Sequence, residues 1–146
     1  IRDEVMTMFL AGHETTAGAL SWLMYLLARH PEIQERLAEE ARTVLAGRLP
    51  TPADIPRLVF CEQVVREGLR LYPPAYVIGR RPQHDMMIGK HFIPAGTNVL
   101  MSQWVVHRDQ RWFERPLEFD PLRWEGNLAG RLPKPWSVPS TRSMPL

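Results

Sequence analysis

The stretch Ala11-Gly12-His13-Glu14-Thr15-Thr16 interrupts a long apolar segment that covers residues 5–28. Apolar residues occur on nearly all sides of this segment at helical spacing, which is typical of a central core helix. Gly12 costs about 1 kcal/mol relative to alanine inside a helix, and a threonine hydroxyl can bond back to the preceding turn. The stretch therefore predicts a polar notch at which Glu14 and Thr15 can relay protons to a bound reactant. The alternative is an ordinary helix with one solvated polar face.

A later helix, predicted over residues 58–71, carries a second pair of polar side chains. Glu67 and Arg70 lie three residues apart and therefore share one helix face. Taken alone, such a pair is typical of a surface ion pair. The downstream segment Phe119-Asp120-Pro121-Leu122-Arg123-Trp124 offers a second arginine, Arg123, that can complete a buried network with them. We expect that network to be structural, because it would hold a loop in place.

The rest of the sequence predicts one more long helix and a region of short strands. Residues 31–46 are amphipathic and begin with a proline, and Thr51-Pro52-Ala53-Asp54 resembles a capping box that opens a short helix. Most of the 14 prolines lie after Leu71, which favours turns and short strands. The predicted strands cover residues 76–81, 86–88 and 97–101. The fold class predicted is therefore mainly α with a small β region.

Composition excludes several classes of protein. The 146 residues carry 18 basic and 16 acidic side chains, for a net charge of +2, without a basic stripe, so nucleic-acid binding is not expected. One cysteine, Cys61, excludes a disulfide framework, and we expect it to be buried as a small hydrophobe. The longest apolar run, residues 17–28, is too short to span a bilayer. Membrane insertion is therefore not expected, and no signal peptide is visible, so we expect a cytoplasmic location.

A metal-dependent hydrolase is one alternative that the spacing of histidines tests. His13-Glu14 resembles the start of a His-Glu-x-x-His zinc helix, but the fourth residue after His13 is Ala17. The five histidines show no paired metal-ligand spacing. The sequence therefore predicts no protein-ligated metal site of this kind.

Four segments, in this order along the chain, resemble the cytochrome P450 family of haem-thiolate monooxygenases. Residues 11–16 resemble the oxygen-activation motif of the family's long central helix, and Glu67-Gly68-Leu69-Arg70 resembles its Glu-x-x-Arg motif. Ile93-Pro94-Ala95-Gly96-Thr97, with His107-Arg108-Asp109, resembles the strand-and-turn region that follows. Residues 119–124 resemble the meander. The resemblance covers residues 1–136 and implies a fragment of the P450 fold: a long central helix, two further helices, short strands and the meander.

The resemblance also implies roles for individual residues around a haem. Glu14 and Thr15 would deliver protons during oxygen activation, and Ala11 and Gly12 would line the oxygen groove. Glu67, Arg70 and Arg123 would form the structural network.

Further roles concern the haem edge and the substrate. Arg80 would pair with a haem propionate, with the adjacent Arg81 as the alternative, since a guanidinium suits a carboxylate. His107 would make a second contact on the haem side. Three residues would lie near the substrate pocket: Tyr76, Val77 and Ile78.

The function implied is that of a haem-dependent monooxygenase, which inserts one oxygen atom into an apolar organic substrate. The family draws its electrons from NAD(P)H through a redox partner, so a flavin or iron–sulfur partner is expected at family level.

The C-terminal residues depart from the family pattern. The family holds iron with a cysteine thiolate in a loop after the meander. Here residues 132–139 resemble the approach to that loop, but residues 140–146 contain neither a Phe-x-x-Gly pattern nor a cysteine. Cys61 precedes Glu67 on the same predicted helix and cannot substitute.

We therefore expect one partial P450 domain over residues 1–146, without the family's N-terminal helices and haem-ligand loop, and inactive as it stands. The change of pattern near Ser137 predicts a frameshift or truncation. The alternative is a non-catalytic remnant of such a gene, which binds no cofactor.

Overall fold

A computed structural model describes residues 1–126 of the chain. This part contains three long helices and a short fourth: α1 (Arg2–Arg29), α2 (Pro31–Leu45), α3 (Val59–Leu71) and α4 (Gln103–Val106). Two 3-10 helices, Pro52–Arg57 and Pro121–Trp124, lie before α3 and at the end of the described part. The four strands are β1 (Ile78–Arg80), β2 (Met86–Ile88), β3 (His91–Ile93) and β4 (Val99–Met101). This confirms the prediction of a mainly helical fold with short strands. The predictions for residues 132–146 lie outside the described residues.

The strands form two separate two-stranded antiparallel sheets. β1 pairs with β4, with Ile78 opposite Met101. β2 and β3 form a hairpin, which turns at Gly89 with a φ of +59°, a conformation that favours glycine. The sequence pattern predicted β2 with these bounds but missed β3.

The hydrophobic core lies where the C-terminal half of α1 meets α3. Leu23 and Leu26 of α1 are buried against Phe60 and Val64 of α3, and Phe119 joins them from the meander. α2 packs beside this core with its partly buried apolar face. The core therefore fixes the C-terminal half of α1 relative to α3.

Within the described part of the chain, α1 is buried only in its C-terminal half. Residues 1–17 of the helix are exposed, and Phe9 keeps 62% of its surface accessible. Within residues 1–126, α2 and α3 pack only against the C-terminal half of α1. The side chains of the polar stretch, residues 11–16, are therefore exposed.

A glycine permits the close approach of α1 and α3. A Cβ added at Gly68 would lie 2.3 Å from Cδ2 of Leu23, which is too close for any side chain to be added without movement. Gly68 lies between Glu67 and Arg70, so the same turn of α3 packs on α1 and presents the polar pair.

The N-terminus of α3 is capped by a side chain from α2. The carboxylate of Glu40 accepts hydrogen bonds from the backbone N–H groups of Phe60, at 2.6 Å, and Cys61, at 2.8 Å. A carboxylate at this end of a helix also interacts favourably with the helix dipole. The Cys61 side chain is half-buried rather than buried as expected, and both burial and the charge of Glu40 raise the pKa of its thiol.

The predicted capping box is present at the first 3-10 helix. The backbone N–H of Thr51 donates to the carboxylate of Asp54 at 2.9 Å, and the Thr51 hydroxyl donates to it at 2.7 Å. Arg48 forms an ion pair with the same carboxylate at 2.5 Å. These contacts order the connection between α2 and α3.

Candidate functional site

An open cleft of about 1020 Å³ lies between α1 and the segment that follows α3. We call it the α1 cleft. Its residues from the polar stretch and nearby are Ala11, Glu14, Thr15, Trp22, Tyr72 and Tyr76. Along the helix, Glu14 lies three residues and Thr15 four residues after Ala11, so both lie near the helix face that carries Ala11. The structure thus brings the predicted catalytic residues to one cleft.

Thr15 is held by a hydrogen bond within its own helix. Its hydroxyl donates to the carbonyl of Ala11 at 2.6 Å. Thr7 makes the same type of bond to the carbonyl of Asp3 at 2.8 Å but does not line the cleft. The position in the cleft, rather than the hydrogen bond, therefore distinguishes Thr15. Within residues 1–126, the Glu14 carboxylate forms no ion pair.

The other residues predicted near the substrate and the oxygen do not all line the α1 cleft. Tyr76 lines the α1 cleft, and its carbonyl accepts a bond from the N–H of Trp104 at 3.4 Å. Gly12, Val77 and Ile78 are not among the residues that line it. Gly18, which sequence reasoning did not select, does line it, and a Cβ added there would meet nothing within 4 Å.

The structure brings the three members of the predicted network together in the interior. Arg70 is 2% exposed and all five of its N–H groups donate. Nε donates to Oε2 of Glu67 at 2.9 Å, and Nη2 donates to Oε1 at 2.8 Å. The remaining three donate to the backbone carbonyls of His107, Pro116 and Glu118. One arginine therefore connects α3 to two separate parts of the downstream loop.

Glu67 is fully buried and collects the donors of the meander. Its Oε1 accepts from the N–H of Asp120 at 3.1 Å and from Nε of Arg123 at 3.2 Å. Its Oε2 accepts from the indole N–H of Trp124 at 2.9 Å. Sequence reasoning missed Trp124, because an indole at this position could equally be an apolar core residue. The network fixes residues 107–124 onto α3 and does not line the α1 cleft.

His107 belongs to this network in the structure. Its Nδ1 lies 3.1 Å from the carbonyl of Arg70, a distance at which a neutral ring donates its Nδ1–H. Burial lowers the pKa of His107, and the positive charge of the neighbouring Arg70 guanidinium lowers it further. Arg80 lies at the exposed end of β1, where its Nη1 donates to the carbonyl of Gly79 at 2.8 Å. The haem contacts of both residues stay predictions.

A stack of aromatic side chains forms one wall of the α1 cleft and was also missed. Trp22 stacks on Tyr72, with ring centroids 4.1 Å apart and planes within 4°. Trp104 packs edge-on against Tyr72 at 6.0 Å. These residues come from α1, the end of α3 and α4, so only the tertiary fold brings them together.

Neither a metal-binding cluster nor a membrane-spanning helix is found within residues 1–126. No group of three or more His, Cys, Asp or Glu side chains is arranged to hold a metal ion there, and the hydrolase alternative gains no support. None of the helices in this part of the chain is both long and apolar enough to cross a bilayer.

Comparison with known proteins identifies the family. The family model described as "Cytochrome P450" matches residues 1–145. The chain belongs to the cytochrome P450 family. It is 46% identical over 124 residues to cyclooctatin synthase of Streptomyces melanosporofaciens, and 46% identical over 132 residues to cytochrome P450 4d2 of Drosophila melanogaster. These matches cover 85% and 88% of this chain.

A solved structure gives the same answer for the fold. A zebra fish cytochrome P450 with progesterone matches with a TM-score of 0.77 and 33% identity, over 80% of this chain and 28% of that one. The chain spans about a quarter of the length of its P450 relatives: 27% of cyclooctatin synthase and 26% of the Drosophila protein.

The α1 cleft fits one side of a haem. Its volume lies at the upper end of the range typical of ligand clefts, which is about 300–1,000 Å³. Its aromatic wall and small residues leave room for a flat apolar group. Cys61, the one cysteine of the chain, is not among the residues that line it. The residues that line the cleft therefore leave room for a flat apolar group, and none of them is a cysteine that could hold the iron of a haem.

Proposed function

We propose that this chain forms the α1 side of the active site of a haem-dependent monooxygenase that acts on apolar organic substrates. The observation that carries the proposal is the placement of Ala11, Glu14 and Thr15 along one cleft with an aromatic wall. A thiolate-ligated haem would supply the iron at which dioxygen is activated and reduced. NAD(P)H would supply electrons through a flavin or iron–sulfur partner, as the family resemblance implies.

The residues of the chain would then position the haem and relay protons through water in the cleft. Ala11 would lie against the face of the haem, since its small side chain leaves the cleft open. The Thr15 hydroxyl, held by its bond to Ala11, keeps two lone pairs that can accept a hydrogen bond from water in the cleft. Glu14 would exchange protons between this water and solvent, because its carboxylate is exposed. Arg80 and His107 would contact the cofactor from outside the α1 cleft.

The Glu67–Arg70–Arg123 network would serve the site indirectly. It holds the segment from His107 to Trp124 against α3, and the end of α3 supplies Tyr72 to the cleft wall. We propose that residues 1–146 are part of a single P450 domain with this internal support. The cytoplasmic location expected from the sequence remains a prediction.

A chimera tests the proposal in a complete P450. Pentalenene oxygenase of Streptomyces avermitilis is 41% identical to this chain over 124 residues, and the match covers 28% of the length of the oxygenase. In the chimera, the matched segment of the oxygenase is replaced by the corresponding part of this chain. The amount of product formed from pentalenene is then measured per NAD(P)H oxidised. Thr15→Ala should retain haem but lower this ratio, because the proton path loses its hydroxyl. Thr7→Ala, which loses the same type of helix bond outside the cleft, should leave the ratio unchanged. Equal ratios for the two variants would refute the role of Thr15.

For the 146-residue chain alone we propose no oxygenase activity. Its single thiol lies on α3 beside Glu40, away from the cleft. Haem added to the purified chain should give no thiolate-type absorbance, and Cys61→Ser should not change the spectrum. A thiolate-type spectrum that Cys61→Ser abolishes would overturn this expectation.

A further inference from the structure

A second cleft, of about 580 Å³, lies between the C-terminal end of α1 and residues 117–119. Tyr72 and Trp104 line both this cleft and the α1 cleft, so the two clefts share a wall. We call the second one the basic cleft, because Arg29, His30 and Arg108 line it. The monooxygenase proposal does not use it.

The two arginines of the basic cleft have only neutral partners within residues 1–126. Nη1 of Arg29 donates to the phenol oxygen of Tyr25 at 2.8 Å. Arg108 donates to the backbone carbonyls of Leu71 and Trp104, and its guanidinium carbon lies 3.3 Å from the centroid of the Trp104 ring. Neither arginine forms an ion pair in this part of the chain. Two guanidinium groups therefore keep their positive charge uncompensated.

The nearby acidic groups are engaged elsewhere. Glu118 also lines the basic cleft, but its carboxylate lies 2.7 Å from Arg115, with which it forms an exposed ion pair. His30 has Glu32 at 3.4 Å. Burial lowers the pKa of Arg108, and the positive charge of Arg70 lowers it further. A bound anion would favour the charged form of Arg108 and so offset both effects.

We propose that the basic cleft binds a small organic anion, in which a carboxylate is carried on an aromatic or otherwise apolar body. The carboxylate would accept charge-assisted hydrogen bonds from Arg29 and the remaining donor capacity of Arg108. The apolar body would pack on the aromatic wall that Tyr72 and Trp104 supply. The site is independent of haem, so its test is separate from that of the monooxygenase proposal.

Calorimetric titration of the haem-free 146-residue chain tests the site with a matched pair of probes. Naphthalene-2-carboxylate and naphthalene-2-carboxamide have nearly the same shape but differ in charge. The carboxylate should bind more tightly by about tenfold, as expected for a hydrogen bond to a charged group. This preference should shrink as salt is added. Equal affinities for the two probes would show apolar association only and would overturn the proposal.

Variants locate the binding. Arg29→Met should remove most of the preference for the carboxylate, and its side chain is exposed, so the fold should be retained. Arg36→Met is the matched control, because Arg36 also lies over an aromatic ring, that of Phe60 at 4.1 Å, but does not line the basic cleft. Arg108→Lys keeps the charge and should retain part of the preference. Unchanged binding in Arg29→Met, or equal losses in Arg29→Met and Arg36→Met, would contradict the site.

Discussion

Substitution of Glu67 by glutamine removes the charge at the centre of the buried network while it keeps the shape of the side chain. Glu67 has no exposed surface and accepts five hydrogen bonds: two from Arg70 and one each from Asp120, Arg123 and Trp124. In Glu67→Gln, one of the two acceptor oxygens becomes an NH₂ donor that faces other donors. Two nearly buried guanidinium groups also lose their counter-charge.

The expected cost follows from these contacts. Removal of one partner from a buried ion pair typically destabilises a protein by about 3–5 kcal/mol. We expect Glu67→Gln to lower the free energy of unfolding by an amount in this range, because Arg70 stays buried between backbone carbonyls. The loss should be accompanied by release of the meander, since three of the five bonds come from residues 120–124.

Urea unfolding followed by circular dichroism measures this loss, and α3 itself provides the control. Glu62 pairs with Arg66 at 2.6 Å on the same helix, but its side chain is 61% exposed. Glu62→Gln should therefore cost less than about 1 kcal/mol. If Glu67→Gln costs no more than Glu62→Gln, the network does not hold the loop and the reasoning fails.

Three further predictions use the same unfolding assay. Gly68→Ala should lower the free energy of unfolding by about 1–3 kcal/mol, because its Cβ would overlap Leu23. Gly12→Ala has open space around its Cβ and should instead stabilise the helix by about 1 kcal/mol. Equal effects of the two substitutions would contradict the α1–α3 contact. Since burial lowers the pKa of His107, its neutral ring stabilises the fold above the unfolded pKa of about 6.5. This stabilisation should be lost as the pH falls through the lower folded pKa, and His107→Gln should weaken that pH dependence. Hydrogen bonds from an arginine and a threonine lower the pKa of Asp54. The contribution of its carboxylate to the free energy of unfolding should therefore be present above about pH 4 and be lost as the pH falls below that value. Asp54→Asn should remove this part of the acid sensitivity, and an unchanged acid transition would contradict the prediction.

Helix positions could be predicted closely from the sequence, because periodicity and terminators act locally. The segment predicted over residues 58–71 forms as Val59–Leu71, and the double proline after Tyr72 ends it there. The capping box at Thr51 could be read for the same reason. The strands were predicted less closely, since β3 was missed although β2, which has the same length, was predicted with its exact bounds.

Burial and the cleft walls could not be predicted, because they depend on which elements meet. α1 is apolar on nearly all sides, but in the described part of the chain only its C-terminal half has packing partners. The stack of Trp22 on Tyr72 joins residues fifty positions apart, and the bond between His107 and Arg70 joins residues nearly forty apart. No local pattern in the sequence records such pairs.

The most direct test of the α1 cleft as the haem cleft is the haem content of the pentalenene oxygenase chimera, measured by absorbance per mole of purified protein. The chimera should bind haem in equimolar amount. Ala11→Phe, which places a ring in the cleft, should abolish that binding while the protein stays folded. A folded Ala11→Phe chimera with full haem content would show that the cofactor does not lie against this part of α1.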